Sequence, residues 1–590
     1  MVVKRRVGLL LATAAVFAAG SASAQTAQQA DLDKVEQMQR RMQQLQDQMK
    51  QQTQQLQDQM KQVNKELADA KKKVAEVKAA ESKSEIPPAF NGAYGADFKP
   101  FPTKAPSIID KVKLTWGGFF SADAIWRQHS MVMDSNTTFN AIPYPFSPLY
   151  GENEFRASAR QSRISLLVEG PLTATQKLSG YFEMDFQGAA PTANFNLTNG
   201  WTPRLRQGFF AYDNVDWGFH FLAGQAWSLV TQDTVDMTAR KENIPLTIDA
   251  GYIPGFDYTR NWQVRVVQDV TPWASIGASV EAPATLLFAG TATAAALGNG
   301  GFTTNSTFNG LIVNVANLGA GTLNNTGTFT ADVAPDIIGK VALDPGWGHY
   351  EAFGIARFFN DSVFNCPAID IAANSTCAAT GFIGSAHEKT TIGEGVGGSV
   401  LVPLIGKYLD VTASTMYGRG IGRYGASQLS DVYIGADGSL RTIPAIHALV
   451  GAVAHPWAGL DVYAYAGIEK EQSGVFSTLA VPGGLAGFGV PNVVNGGCYI
   501  TTSASFTGGA SNCAAVNKSV EGITVGFWQD LYKGPMGRVA TGLQWEWIRR
   551  DGFAGYGVVA ASATSPALGP AGPVHTDDNM VLASMRWYPF

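Results

Sequence analysis

The chain has 590 residues, of which 15% are charged and 11% aromatic, with 64 glycines and a formal net charge of -5. So much glycine and so little charge argue against an ordinary helical enzyme, and the weakly acidic balance leaves no basic footprint for nucleic acid. Cysteines stand at 366, 377, 498 and 513 in segments rich in Asn, Ser, Thr and Gly, so Cys366 with Cys377 and Cys498 with Cys513 read as loop disulfides of an oxidising compartment; neither spacing resembles a metal site.

Residues 1–24 carry a basic head (Lys4, Arg5, Arg6), an apolar stretch from Val7 to Ala19 and a small-residue cleavage site at Ala22-Ser-Ala24, the pattern of a cleaved secretory signal. Residues 25–85 read as a periplasmic coiled coil. From Asp31 to Ala80 there is neither Pro nor Gly, and Val35, Met38, Met42, Leu45 and Met49 begin a series of 3- and 4-residue steps. The string Gln43–Gln51 recurs as Gln54–Gln62, and this 11-residue period places one stutter in the seam. The apolar stripe is too narrow for a lone helix, so partner chains are expected; methionine at core positions leaves their number open. Residues 86–110, with Pro87, Pro88, Pro100, Pro102 and Pro106, form an extended linker.

Beyond residue 111 the hydrophobic period falls to 2. Val112, Leu114, Trp116, Phe120 and Trp126 alternate with Lys113, Thr115, Ser121, Asp123 and Arg127. Short turn signals recur around 170–171, 213–217, 269–273, 344–348, 404–407, 455–459 and 533–537, and longer polar segments lie between them, near 128–155, 187–203, 226–258, 282–334, 359–390, 419–440, 471–519 and 550–577. Seven short turns alternating with eight long loops predict an all-β transmembrane barrel of about 16 antiparallel strands over 111–590, with both barrel ends on the short-turn side. After the signal, no stretch approaches the roughly 20 apolar residues of a membrane helix, so a closed barrel is how this chain would cross a bilayer. Four of the seven turns hold a Trp, as an interfacial aromatic girdle requires.

If the apolar parity meets lipid, the opposite parity lines the lumen. That parity holds Asp123, Glu183, Asp185, Lys340, Glu351, Tyr463, Tyr465, Glu469 and Glu546, and with them Arg127, Arg163, Arg204, Arg206, Arg265 and Arg357, the candidate pore-lining and anion-binding residues. A barrel of this size has room for an aqueous channel. Arg204 and Arg206, with Arg163 on a neighbouring strand, form the one basic cluster; guanidinium groups take carboxylates and phosphates bidentately, while nearby Glu183 and Asp185 offer neutralisation instead. The segment 226–258 is charged enough either to fold inward or to remain an external loop. Gly393–Gly398 matches a G-x-G-x-x-G string, but no helix follows it, and no nucleophile motif or metal-spaced histidines are present. The expected chain is therefore not an enzyme and uses no cofactor or metal.

Leu114–Trp126, Arg160–Arg163, Glu183–Gln187, Leu205–Tyr212 and Leu222–Leu229 together resemble the DcaP-like trimeric outer-membrane porins, best over about 110 to 270. The resemblance implies a homotrimer of sixteen-stranded barrels with a periplasmic coiled coil, passing small anionic organic solutes such as dicarboxylates, and makes Arg163, Arg204 and Arg206 pore-lining. Neutral solutes, outer-membrane lipids and, through Phe590, the barrel-assembly machinery complete the expected partners. One departure is the last strand, where Val581, Ala583, Met585 and Trp587 share a parity that Tyr588 and Phe590 leave. Two rivals stand beside the porin: an envelope tether acting through the coiled coil on a periplasmic partner or peptidoglycan, and a phosphate-type selective porin.

Overall fold

The computed structural model describes residues 107–109, 112–188, 202–288, 302–304, 312–314, 332–364, 387–435, 439–477, 485–491, 493–499, 513–559, 567–571 and 573–589, with single positions 43 and 54. The expected signal and Cys366–Cys377 pair lie outside these residues, as does the coiled coil apart from positions 43 and 54 and the linker apart from Ser107–Ile109, a short strand paired with Val112–Leu114. Sixteen long strands follow one another: β1 (Val112–Arg127), β2 (Arg163–Pro171), β3 (Gln176–Gly188), β4 (Thr202–Asn214), β5 (Phe219–Trp227), β6 (Arg260–Thr271), β7 (Ala274–Glu281), β8 (Asp336–Leu343), β9 (His349–Phe364), β10 (His387–Pro403), β11 (Leu409–Arg419), β12 (Pro444–Trp457), β13 (Leu460–Glu471), β14 (Asn517–Gly534), β15 (Gly537–Gly552) and β16 (His575–Tyr588). Each pairs antiparallel with its sequence neighbours, and β16 returns to β1 in the register Phe120↔Trp587 to Arg127↔Met580, which closes the ring. Closure leaves no free sheet edge in the wall.

The seven short turns fall where the turn residues put them. Gly537, at φ +88°, shows why: a side chain there would meet the carbonyl oxygen of Tyr588 at 1.9 Å, so only glycine lets β14 reverse into β15 against β16. Trp217, Trp273, Trp347 and Trp457 ring this end, all exposed. Period-2 alternation sorts the wall. Trp116, Phe120, Val266, Val341, Val396, Val450 and Ile523 face outward and are exposed, whereas Asp123, Lys340, Glu351, Glu469, Gln544 and Glu546 face inward and are buried. The last strand keeps this order: Val581, Met585 and Trp587 point out, and Tyr588 points in, its ring 5.3 Å from that of Phe119.

The inside is not an open tube. Residues 228–259, the third long loop, leave the wall at β5 and run around the interior. Their hairpin, paired through Asp233↔Glu242, reaches the short-turn end, where the Asp236 N–H donates to Asp344 Oδ2 at 3.0 Å. The loop then crosses to the far wall: Leu246 donates to the Tyr465 hydroxyl (3.2 Å) and accepts from Trp528 Nε1 (2.8 Å), and the N–H of Ile248 donates to Gln544 (2.5 Å). Ile244, Leu246, Ile248, Ile253 and Phe256 form an apolar core with inward Leu449, Val453, Val520 and Ile548. Loop 3 therefore folds inward, one of the two courses its composition allowed, because apolar side chains on both surfaces must leave water together.

Candidate functional site

Loop 3 faces the wall at β2–β4. A small gap of about 10 Å³, room for about one water molecule, lies between Gln161, Arg163, Asp185, Gln187 and Arg206 on one side and Thr247, Asp249, Ala250 and Tyr252 on the other. Arg163 and Arg206 of the basic cluster read from the sequence therefore line a small gap between the wall and loop 3.

Its geometry begins with a β-bulge. Glu183 pairs with Gln207 while the next residue, Met184, pairs with Leu205, so Arg206 is an extra residue in β4. The bulge turns Arg206 and Gln207 both inward, with Arg204 beyond them, and leaves Leu205 outside. Strict alternation, which placed Arg204 and Arg206 on one face, reached the right result without the bulge that produces it. Arg206 Nε donates to Glu183 Oε1 (2.6 Å), Nη1 to Asp185 Oδ2 (2.9 Å) and Nη2 to the Tyr252 hydroxyl (3.5 Å). Arg204 grips Asp185 bidentately (3.1 and 2.8 Å) and reaches Gln187 (2.9 Å); its side chain is 34% exposed and its Nη1 makes no hydrogen bond among the described residues. Arg163 stands 3.8 Å from Glu183, its guanidinium carbon 5.3 Å from the Phe119 ring centre. Facing them, Asp249 accepts from the N–H groups of Thr137 and Gly251 and from the Thr137 hydroxyl.

An aromatic group backs the gap: Tyr252 lies 5.2 Å from Phe256 and 5.1 Å from Tyr258, and Trp227 lies 5.6 Å from Tyr258. Arg260 stacks on Trp227 at 4.9 Å and forms no ion pair among the described residues. Sequence reasoning missed it, because Arg260 and Trp227 form the last β5–β6 pair, where the loop leaves the sheet and parity no longer fixes direction. Loop 3 reports the local potential. Burial works to raise the Tyr252 hydroxyl, but Arg206, Arg260 and Arg163 outweigh it and hold the group below the usual phenol range. Burial pushes the Asp249 carboxyl up, against Arg127 and its hydrogen bonds.

Arg127, Arg265 and Arg357 also lie on the inner face, each at most 3% exposed and so as buried as Arg206. Arg127 donates to the carbonyls of Met133 and Asp134 and to Thr137 and Glu154. Arg265 holds the carbonyls of Trp227 and Met237 at the two ends of the loop 3 descent. Arg357 binds Asp336, Asp431 and the carbonyls of Gly420 and Ala284. Most of their donors are held by loop groups, while Arg265 Nε donates to Gln263 and Arg357 Nε to Asp336 in the wall. Cys498 and Cys513 are bonded to each other.

No family model and no curated protein matches the chain. Among solved structures, the outer membrane channel DcaP of Acinetobacter baumannii is similar at a TM-score of 0.51 and 16% identity, over 82% of this chain and 100% of that one. The anion-selective porin from Comamonas acidovorans aligns at a TM-score of 0.39 and 11% identity, over 81% and 99%. OmpT, an outer membrane protein of Vibrio cholerae, aligns at 0.38 and 8%, over 82% and 100%. This chain therefore shares the fold of the DcaP channel, a closed sixteen-stranded antiparallel barrel.

Proposed function

We propose that the chain is an outer-membrane porin through which small hydrophilic solutes, preferentially anions of the dicarboxylate type, diffuse down their gradients. The observation that carries the reading is the arginine wall facing loop 3 inside a barrel whose outer face is apolar. Four guanidinium groups (Arg163, Arg204, Arg206 and Arg260) stand at the gap, beside its Asp185 or on its aromatic backing, against the carboxylates of Glu183, Asp185 and Asp249. A passing carboxylate meets the Nη1 donor of Arg204 and a positive local potential, and the acidic partners keep the arginines extended without cancelling them. Binding remains weak enough for release because each guanidinium already has a carboxylate partner or a ring to return to. The solute undergoes no covalent change.

The barrel sits in the outer membrane with its short turns toward the periplasm and its long loops outside, as the tryptophan ring and the outward apolar wall support. A homotrimer is part of the reading. The test is purified protein in a planar bilayer under a salt gradient. Openings in steps of three with a reversal potential of anion-selective sign are expected, and Arg204→Ala/Arg206→Ala should move that potential toward cation preference, since Asp185 then loses both of its arginines and Glu183 the nearer of its two. No conductance at all would overturn the porin; a cation-selective potential indifferent to the double substitution would overturn the anion preference.

A further inference from the structure

We infer that Gln225, on the membrane-facing side of the wall, is a positioning residue that sets selectivity by bracing the β4 bulge that aims Arg206 into the gap. The inference rests on the anion-porin reading and goes beyond it to a residue that no solute touches.

β5 is only 9 residues long, and its ladder with β4 ends at Gly208↔Gln225. The carbonyls of Leu205 and Arg206, in the bulge just beyond, therefore have no strand to accept from. In the hydrocarbon layer water does not reach such groups, so something in the protein must. The Gln225 side chain does it: one amide nitrogen donates to Leu205 O at 3.0 Å and to Arg206 O at 3.1 Å. Gln225 shares the parity of Phe221, which packs on outward Phe210 at 6.0 Å between ring centres, and lies opposite to Leu222 and Ala226, which join the inner cluster. It is a polar residue between outward Phe221 and its cross-strand partner Trp262, and its two bonds account for it.

The preceding residue supports the same device. Gly224 takes φ +132°, and a Cβ there would lie 2.4 Å from Gly208 O and 2.6 Å from Phe209 Cα. Only glycine lets β5 approach β4 this closely, which brings the amide of Gln225 within reach of the bulge. The strings Leu205-Arg-Gln-Gly208 and Ala223-Gly-Gln225 thus encode one unit: a bulge, the close approach beside it, and the amide that closes it. With the brace absent, the bulged segment loses the partners that fix its carbonyl direction, and the Arg206 guanidinium is no longer held on Glu183, Asp185 and Tyr252 together.

The experiment measures reversal potentials in planar bilayers for wild type, Gln225→Met, Arg206→Ala and the double variant, with Ala223→Leu as an outward-facing control. Methionine keeps the length and apolar fit of the side chain but cannot donate. Gln225→Met should move the potential in the same direction as Arg206→Ala, by about half of that shift or more, and add nothing in the Arg206→Ala background, as expected when one residue acts through the other. Ala223→Leu should leave the potential where it was. The inference is overturned if Gln225→Met leaves the potential unchanged while Arg206→Ala moves it, or if the two shifts simply add. If Gln225→Met yields no folded barrel by heat-modifiable mobility, the milder Gln225→Asn, whose amide falls short of both carbonyls, replaces it under the same criteria. If Arg206→Ala itself moves nothing, the anion reading fails first and this inference with it.

Discussion

Lys340 shows how a single buried charge ties loop 3 to the wall. Its ammonium touches Asp233 of loop 3 (2.9 Å), Glu351 of the wall (2.6 Å) and the Thr231 carbonyl (2.8 Å), and none of its side chain is exposed. The pairs join the loop hairpin to β8 and β9. Removing the cation would leave two carboxylates buried beside each other, and breaking a buried pair from one side costs about 3–5 kcal/mol. Lys340→Met should therefore lower the stability of the folded barrel by that order in urea titrations, and its open-channel current should fluctuate more as the loop 3 hairpin loses its hold. A titration midpoint unchanged from wild type would show that the hairpin is held elsewhere. Arg265 and Arg357 act in the same way on their own loops. Alternation told correctly that these side chains turn inward, but which of them meets water depends on what covers them, and the covering segments lie far away in sequence: Arg357 is closed off by Asp431 and Ala284, 74 and 73 residues away.

At the scale of elements, the strands and turns were legible because their signals are local. Period 2 and the Gly, Pro, Asp and Asn clusters place the seven turns between the strands they join, and the parity of β16 resolves in favour of Val581, Met585 and Trp587 outside. Loop 3 was not legible. Its apolar residues Ile244, Leu246 and Ile248 alternate like a strand, and only their partners on β12 to β15 turn them into a lining. The bulge at Arg206 was equally hidden, since a one-residue slip leaves no mark in composition. Two experiments address these elements. Excising residues 235–240, beyond the Asp233↔Glu242 pair, should raise single-channel conductance, because the hairpin occupies the short-turn end of the lumen; an unchanged conductance would place the resistance elsewhere. Replacing Cys498 and Cys513 by Ser releases a closure of 15 residues, which the chain-entropy model values at about 3 kcal/mol. The bond packs with Tyr144 and Val574 in the outer loops, so the loss should appear as new proteolytic cleavage within 472–516 in intact cells, with barrel conductance preserved. Cleavage-resistant loops in the double serine variant would show that packing on Tyr144 suffices without the bond.

The whole molecule is sorted opposite to a water-soluble domain: charged and amide side chains are buried inside, and large apolar ones are exposed outside. Such an outer face is stable only if its solvent is hydrocarbon over a band bounded by the exposed tryptophans of the short turns. Two positions separate this from a soluble barrel with a greasy surface. Val450 lies near the middle of β12, 51% exposed on the outer face, and Val215 lies in the short turn before β5, 73% exposed. In water the two would tolerate arginine alike, Val215 and Val450 both being on the surface. In a bilayer the cost depends on depth, about 2–4 kcal/mol at the midplane and about 0–1 near the interface. Val450→Arg should therefore destabilise the barrel by about 2–4 kcal/mol in urea unfolding from phospholipid vesicles, and Val215→Arg by less than about 1 kcal/mol. Equal, small losses at the two sites would mean that the apolar face is not held in lipid, and the channel reading would lose the membrane it needs.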